Sequence, residues 1–130
     1  MIVSSNMAAS DSQWEAMIIE KMLLSMTGDK NTTIYTQDKQ LKSIVNKLAK
    51  INMTDDCEKA DFILSDIASN KSCKKPEIVF NYRKYRNKTN AIGVFFWQKG
   101  RPTIRFSPKR LKYFGLHVSG ELSKFVSSYN

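Results

Sequence analysis

The sequence predicts a single α/β domain in which a mixed sheet of about five strands is flanked by helices, in a three-layer type of arrangement. Amphipathic helical segments alternate with short β-rich runs along the front half of the chain. Two runs, ADFILSD (60–66) and PEIVFNY (76–82), are continuously apolar, which is typical of strands covered on both faces. A glycine-containing link, QKGR, predicts a C-terminal β-hairpin, and two short helices are predicted to follow it.

The first helix is predicted over residues 10–28. Ser12 and Glu15 form a capping box at its start, and Gly28 ends it. Its apolar stripe repeats every four residues, at Trp14, Ile18, Met22 and Met26. We expect this stripe to pack in the core.

A strand and a second helix are predicted to follow. NTTIYTQ (31–37) is a β-rich run, and DKQLKSIVNKLAKIN (38–52) has the period of an amphipathic helix. The apolar face of that helix comprises Leu41, Ile44, Val45, Leu48 and Ile51.

The hairpin is formed by AIGVFFW (91–97) and PTIRFS (102–107). Ser107 and Pro108 then predict the start of a helix that ends at Gly115 and keeps Lys109, Arg110 and Lys112 in water. A last short helix is predicted after Ser119, with its apolar residues Leu122, Phe125 and Val126 facing inward.

One connection bears on strand direction. Only about eight residues, RKYRNKTN (83–90), join the strand at 76–82 to the strand at 91–97. A parallel crossover usually needs about a dozen residues or more, so the sequence predicts that these two strands are antiparallel.

The chain length fits one domain with a single core. Residues 1–10 are predicted to be a disordered leader or a vector-derived extension, and residues 11–130 the domain itself. The start lacks a basic segment followed by an apolar one, so no signal peptide is recognised. The residues predicted to be mainly core are Trp14, Phe62, Phe80, Phe96, Ile104, Phe106, Leu111 and Phe125.

The cysteines are better suited to a disulfide than to metal or nucleophile chemistry. Cys57 and Cys73 lack metal-ligand spacing, and His117 alone does not complete a zinc site with them. Both cysteines have polar neighbours, which predicts loops beside strands. A disulfide between them would suit an oxidising compartment, and two free thiols are the alternative. The scattered carboxylates of Asp61, Asp66 and Glu77 indicate no catalytic pair, so we expect neither an enzyme nor a cofactor.

The formal net charge of +9 permits nucleic acid, anionic lipid or an acidic protein as partner. Candidate partner-binding residues lie after the strand at 76–82 and around the hairpin turn: Arg83, Lys84, Tyr85, Arg86, Lys88, Trp97, Lys99 and Arg101. Antiparallel strands would separate these into two patches. That separation favours an acidic protein surface over a continuous nucleic-acid groove, although cations interleaved with aromatic residues also suit phosphate contact and base stacking.

The order of apolar and turn residues over 12–127 resembles the YfiR-like family of small exported bacterial proteins. The resemblance rests mainly on "EIVFNY" and on "NAIGVFFWQKGRPTIRFSPKRLKYFGLHVSGELSKFV". The matching positions are 78–82, 93–97, 104–107, Gly115, Leu116, Ser119, Leu122 and Phe125. Ser107 and Pro108 depart from the family, which usually has Asn and an apolar residue there.

The resemblance implies a periplasmic regulatory protein without catalytic activity. The best-known member of the family restrains an inner-membrane diguanylate cyclase by binding its periplasmic region, which controls cyclic-di-GMP signalling and biofilm formation. The expected partner is therefore an inner-membrane sensor protein, and a homodimer is left open. Neither a metal nor a nucleic acid is expected as a partner.

Overall fold

The computed structural model describes residues 2–28, 30–65 and 73–127, with only the helical backbone for residues 2–12. Within these residues the α-helices are Ile2–Thr27 (α1), Lys39–Val45 (α2), Tyr82–Asn87 (α3) and Pro108–Tyr113 (α4). The strands are Thr32–Tyr35 (β1), Ile51–Met53 (β2), Phe62–Ser65 (β3), Glu77–Val79 (β4), Ala91–Gln98 (β5) and Arg101–Phe106 (β6). Two 3-10 helices lie at Cys57–Lys59 and Gly120–Phe125.

The predicted α/β class is confirmed, with a mixed sheet that has six strands in the order β2-β1-β3-β4-β5-β6. Neighbours from β2 to β5 are parallel, and β6 pairs antiparallel with β5. The predicted C-terminal hairpin is therefore the edge of this sheet. Its two following helices are α4 and the 3-10 helix Gly120–Phe125.

The predicted antiparallel arrangement of β4 and β5 is wrong, because these strands are parallel. The connection between them contains α3, a helix of six residues. Because β4 has only three residues, the chain must return about 10 Å along the sheet. A helix of six residues rises about 9 Å, so this short crossover suffices.

The second predicted helix is shorter than its apolar pattern suggests. Helix α2 ends at Val45, and Ile51 lies in the additional strand β2. Strand β2 pairs with β1, and the Thr32 amide donates to the Lys50 carbonyl at 3.0 Å. Ile51 is buried in β2, and it would also be buried on the apolar face of the predicted helix. The apolar period therefore does not distinguish a helix from a strand of three residues here.

Helix α1 begins at Ile2, so the predicted cap Ser12 lies inside it and its backbone includes residues 2–10. The division of the chain at residue 10 stays a prediction. Ile18 and Met22 are buried, but the Trp14 side chain is 53% exposed. The prediction that Trp14 lies in the core is therefore wrong, since it precedes the part of α1 that packs on the sheet.

The main core fills one face of the sheet. It contains buried side chains from α1, α2, α4 and all six strands, among them Leu23, Ile34, Leu64, Ile78, Phe95 and Phe106. Phe62 and Leu111 are buried there as predicted, whereas Phe80, Ile104 and Phe125 pack against this core with part of their surface exposed.

The opposite face carries two smaller apolar clusters. Val79, Tyr85, Ala91 and Val94 form one beneath α3, with Phe96 at its margin. The other contains Tyr35, Ala60, Ile63 and Cys73, with Cys57 packed against it. Helix α3 and the cysteine segments therefore cover the face that α1 leaves open.

Strand β5 has a glycine where the ring of Phe106 lies against its backbone. A Cβ atom at Gly93 would lie 3.0 Å from the Cδ1 atom of Phe106. Helix α4 follows directly, with the Ser107 hydroxyl accepting from the Arg110 amide and Pro108 in the first turn. Both features of α4 confirm the sequence prediction.

Replacing Phe106 with Ala should lower the free energy of unfolding by about 3–5 kcal/mol, because the buried ring would leave a cavity. Urea titration measures this change. Tyr113→Ala is the control, since that ring is 82% exposed and its loss should change stability by less than about 0.5 kcal/mol. Equal effects of the two substitutions would contradict the core assignment.

Candidate interaction surface and the charge network beneath it

Glu77 is fully buried although it carries a carboxylate. It begins β4 on the face covered by α3, and its Oε1 atom lies 2.8 Å from Lys88 Nζ. Its Oε2 atom accepts a hydrogen bond of 2.5 Å from the Ser65 hydroxyl at the end of β3. A buried carboxylate requires such partners because removing a charge from water costs several kcal/mol.

Lys84 and Asn90 complete the Glu77 network. Lys84 Nζ donates to the Ser65 hydroxyl and lies 4.0 Å from Glu77 Oε2. The Asn90 side-chain amide donates to Glu77 Oε1 at 3.4 Å and to the Lys75 carbonyl at 2.8 Å. Among the described side chains, no fully buried nitrogen or oxygen atom lacks a hydrogen-bond partner.

Three of the candidate partner-binding residues therefore serve the interior. Lys84 and Lys88 are directed toward Glu77, and the Tyr85 side chain is only 2% exposed. Burial raises the pKa of the Tyr85 phenol, while the nearby Arg110 charge acts in the opposite direction. These residues hold α3 on the sheet and leave fewer cations for a partner.

Arg110 also differs from its predicted position in water. Its guanidinium donates to the carbonyls of Tyr85 and Arg86 at the end of α3, and to the carbonyl of Ala91 at the start of β5. Carbonyl groups in the last turn of a helix have no partner within the helix, and a cation stabilises them. Arg110 thereby ties α4 to the far end of α3.

The remaining exposed candidates lie at the opposite end of the sheet. Because β4 and β5 are parallel, the start of α3 and the β5–β6 turn lie at the same edge. Arg83, Lys99 and Arg101 are exposed there, and Trp97 is 41% exposed. We call these four residues the hairpin-edge surface, in which Trp97 lies on the main-core face of the hairpin and Arg101 on the α3 face. Arg86 is exposed too, but it lies farther along α3, toward Lys88.

Aromatic rings pack on both faces of β5 beside the hairpin-edge surface. Trp97 packs on Phe95, with 5.8 Å between ring centroids, and Tyr82 packs on Phe96 at 5.4 Å. Phe80 contacts Phe95 edge to face. Trp97 therefore packs on the main-core face of β5 with Phe95, whereas Tyr82 and Phe96 lie on the α3 face.

Lys99 has an unusual backbone conformation at the tip of the hairpin. Its φ is +52°, and the following Gly100 has a φ of +79°. Two successive positive φ angles define a two-residue turn in which Asn followed by Gly is preferred. A residue with a Cβ such as lysine is less stable there by about 1–2 kcal/mol. The sequence thus places a cation where folding alone favours asparagine.

Cys57 and Cys73 lie at disulfide distance, with their Cα atoms 6.2 Å apart. This spacing is within the usual range for a disulfide. Their surroundings differ from the predicted polar loops, since Cys73 is buried and both pack with Tyr35, Ala60 and Ile63. The pair joins the segment after β2 to the segment that leads into β4.

Sequence reasoning missed the Glu77 network, although a weak signal was present. A glutamate stands in the otherwise apolar run EIVF, and two lysines follow at the i+7 and i+11 positions. Asp66 and the other residues of 66–72 lie outside the described residues. Glu77 and Asp61 are both described, and the Asp61 carboxylate accepts from the Thr33 amide of β1.

Comparisons with known proteins give no relative: no family model, no curated protein and no solved structure matches the chain. Within the part of the chain that the structure describes, no helix combines the length and the apolar character needed to cross a membrane.

Replacing Lys88 with Met should destabilise the protein by about 2–3 kcal/mol. Breaking a buried ion pair typically costs about 3–5 kcal/mol, and Lys84 would compensate in part. Urea titration of Lys88→Met, Glu77→Gln and the double variant measures the coupling between the two residues. Arg83→Met is the matched control on the exposed side of α3, and a loss as large as that of Lys88→Met would contradict the network's role.

Proposed function

We propose that this chain is a non-enzymatic regulatory protein of the periplasm that binds an inner-membrane signalling protein through its hairpin-edge surface. The resemblance to the YfiR-like family indicates the class of partner, a sensor such as a diguanylate cyclase, which produces cyclic-di-GMP. The charge of the surface supplies the chemistry of the contact, an acidic region of the partner's periplasmic part.

The observation that most supports the proposal is the backbone conformation of Lys99 at the hairpin tip. Lys99 adopts a positive φ between the exposed Trp97 and Arg101, where asparagine would favour folding. Backbone conformations that disfavour folding occur preferentially at functional sites. Tryptophan and arginine are also the residue types that most often dominate binding energy at protein interfaces.

Two further features agree with a non-enzymatic protein of an oxidising compartment. Disulfides persist in the periplasm and are rare in the cytosol, so the pair at Cys57 and Cys73 favours export. The charges of Glu77, Lys84 and Lys88 satisfy one another and hold α3, which is a structural use of ionisable groups.

Nucleic-acid binding is the second candidate, and the parallel arrangement of β4 and β5 favours it. This arrangement brings Arg83 to the same edge as Lys99 and Arg101. However, Lys84 and Lys88 are engaged with Glu77, so the edge offers fewer cations than the sequence suggests. A phosphate-tracking groove requires a longer row of exposed cations.

Photo-crosslinking in the native bacterium tests the proposed partner. A crosslinking amino acid at position 97 should capture an inner-membrane protein, whereas the same amino acid at the exposed Tyr113 of α4 should not. The substitution Lys99→Asn should raise the free energy of unfolding by about 0.5–1 kcal/mol, yet reduce crosslinking from position 97. Equal membrane crosslinks from both positions, or undiminished crosslinking in Lys99→Asn, would contradict the proposal.

Binding to random single-stranded DNA at physiological salt should be weak, with a Kd of about 10⁻⁴ to 10⁻⁶ M. Fluorescence anisotropy at several salt concentrations measures it. Nanomolar, sequence-selective binding that disappears in Arg83→Ala/Arg86→Ala would establish the nucleic-acid alternative in place of the proposed function.

A further inference from the structure

Three metal-ligating side chains meet beside the second apolar cluster. The sulfur atoms of Cys57 and Cys73 and a carboxylate oxygen of Glu58 all lie within 4.8 Å of one another. Glu58 Oε2 is 3.6 Å from Cys73 Sγ. The carboxylate was not a ligand candidate from sequence, because cysteine spacing and His117 indicate no usual zinc pattern.

The contact between the Glu58 carboxylate and Cys73 has no attractive hydrogen bond while the disulfide is present. A disulfide sulfur carries no proton, and an ionised carboxylate only accepts hydrogen bonds. The same geometry becomes favourable if Cys73 carries a thiol proton, or if a cation lies between sulfur and oxygen. The position of Glu58 is therefore better suited to the reduced cysteines than to the disulfide.

The local structure holds the backbone of Glu58, while its side chain is exposed to solvent. Its backbone amide donates to the Asp56 carboxylate at 3.0 Å, which starts the 3-10 helix Cys57–Lys59. Cys73 is buried beside Tyr35 and Ile63 on the other side of the cluster. The ligand atoms thus approach from two chain segments that the sheet holds together, as a preformed metal site requires.

We propose that the reduced chain binds Zn²⁺ through the thiolates of Cys57 and Cys73 and the carboxylate of Glu58. Thiolate sulfur and carboxylate oxygen both bind Zn²⁺, and three protein ligands leave a fourth position to water. Two thiolates beside a carboxylate would carry three negative charges at a partly buried place, and bound Zn²⁺ reduces the net charge to −1. The same cysteines therefore have two alternative uses, a disulfide when oxidised and a metal site when reduced.

The chemical step is balanced with a phosphine or dithiol as reductant. A phosphine takes the oxygen atom of one water molecule and becomes a phosphine oxide, the sulfur–sulfur bond breaks, and the two protons of that water complete the thiols. A dithiol instead gives up its own two protons and becomes a disulfide. Binding of Zn²⁺ then forms two zinc–sulfur bonds and one zinc–oxygen bond and releases the two thiol protons. This inference stands independently of the proposed partner.

Cobalt(II) is the probe, because thiolate coordination gives it an intense charge-transfer absorption. The full chain is reduced with a phosphine under anaerobic conditions and titrated with Co²⁺. We expect this absorption to saturate at one ion per chain and to disappear when Zn²⁺ is added. The oxidised protein should show neither free thiols nor the absorption.

Glu58→Gln retains both cysteines and tests the third ligand. It should weaken Co²⁺ binding by at least about tenfold, since even indirect partners of metal ligands contribute about 10–100-fold to affinity. Glu121→Gln is the matched control, because Glu121 is an exposed carboxylate on another element. The proposal is wrong if the reduced chain gives no charge-transfer absorption, or if Glu58→Gln binds Co²⁺ as tightly as the unsubstituted chain does.

Discussion

The ion pair between buried Glu77 and Lys88 is the interaction on which the crossover from β4 to β5 depends. It joins the start of β4 to the residue that follows α3. Lys84 contributes from within the helix, through Ser65 at the end of β3. Since α3 has only six residues, it would be marginal alone, and side-chain contacts must hold it.

This constraint also decides which cations are free to bind a partner. The α3 lysines turn toward Glu77, and Arg110 spans the far end of the helix. The cations left at the near end are Arg83 and the pair around the hairpin turn, beside Trp97. Other exposed lysines, among them Lys39, Lys50 and Lys109, lie elsewhere on the surface, so the high net charge is not concentrated at this end of the sheet.

The parts predicted from sequence are those encoded locally. The hairpin turn, the Ser107 cap and the end of α4 at Gly115 each depend on residues that are close in the chain, and all three are confirmed. The predicted direction of β5 was wrong because it was inferred from the length of the connection alone, without the shortness of β4. The Glu77 network was missed because its members come from β3, β4 and α3, and only the fold brings them together.

Amide hydrogen exchange in the Lys88→Met variant tests most directly whether the charge network holds α3 in place. We expect protection of the amides in Tyr82–Asn87 to fall strongly, while the amides shared by β5 and β6 keep their protection. An equal loss of protection in both regions, or unchanged protection in α3, would show that the charge network does not hold this helix.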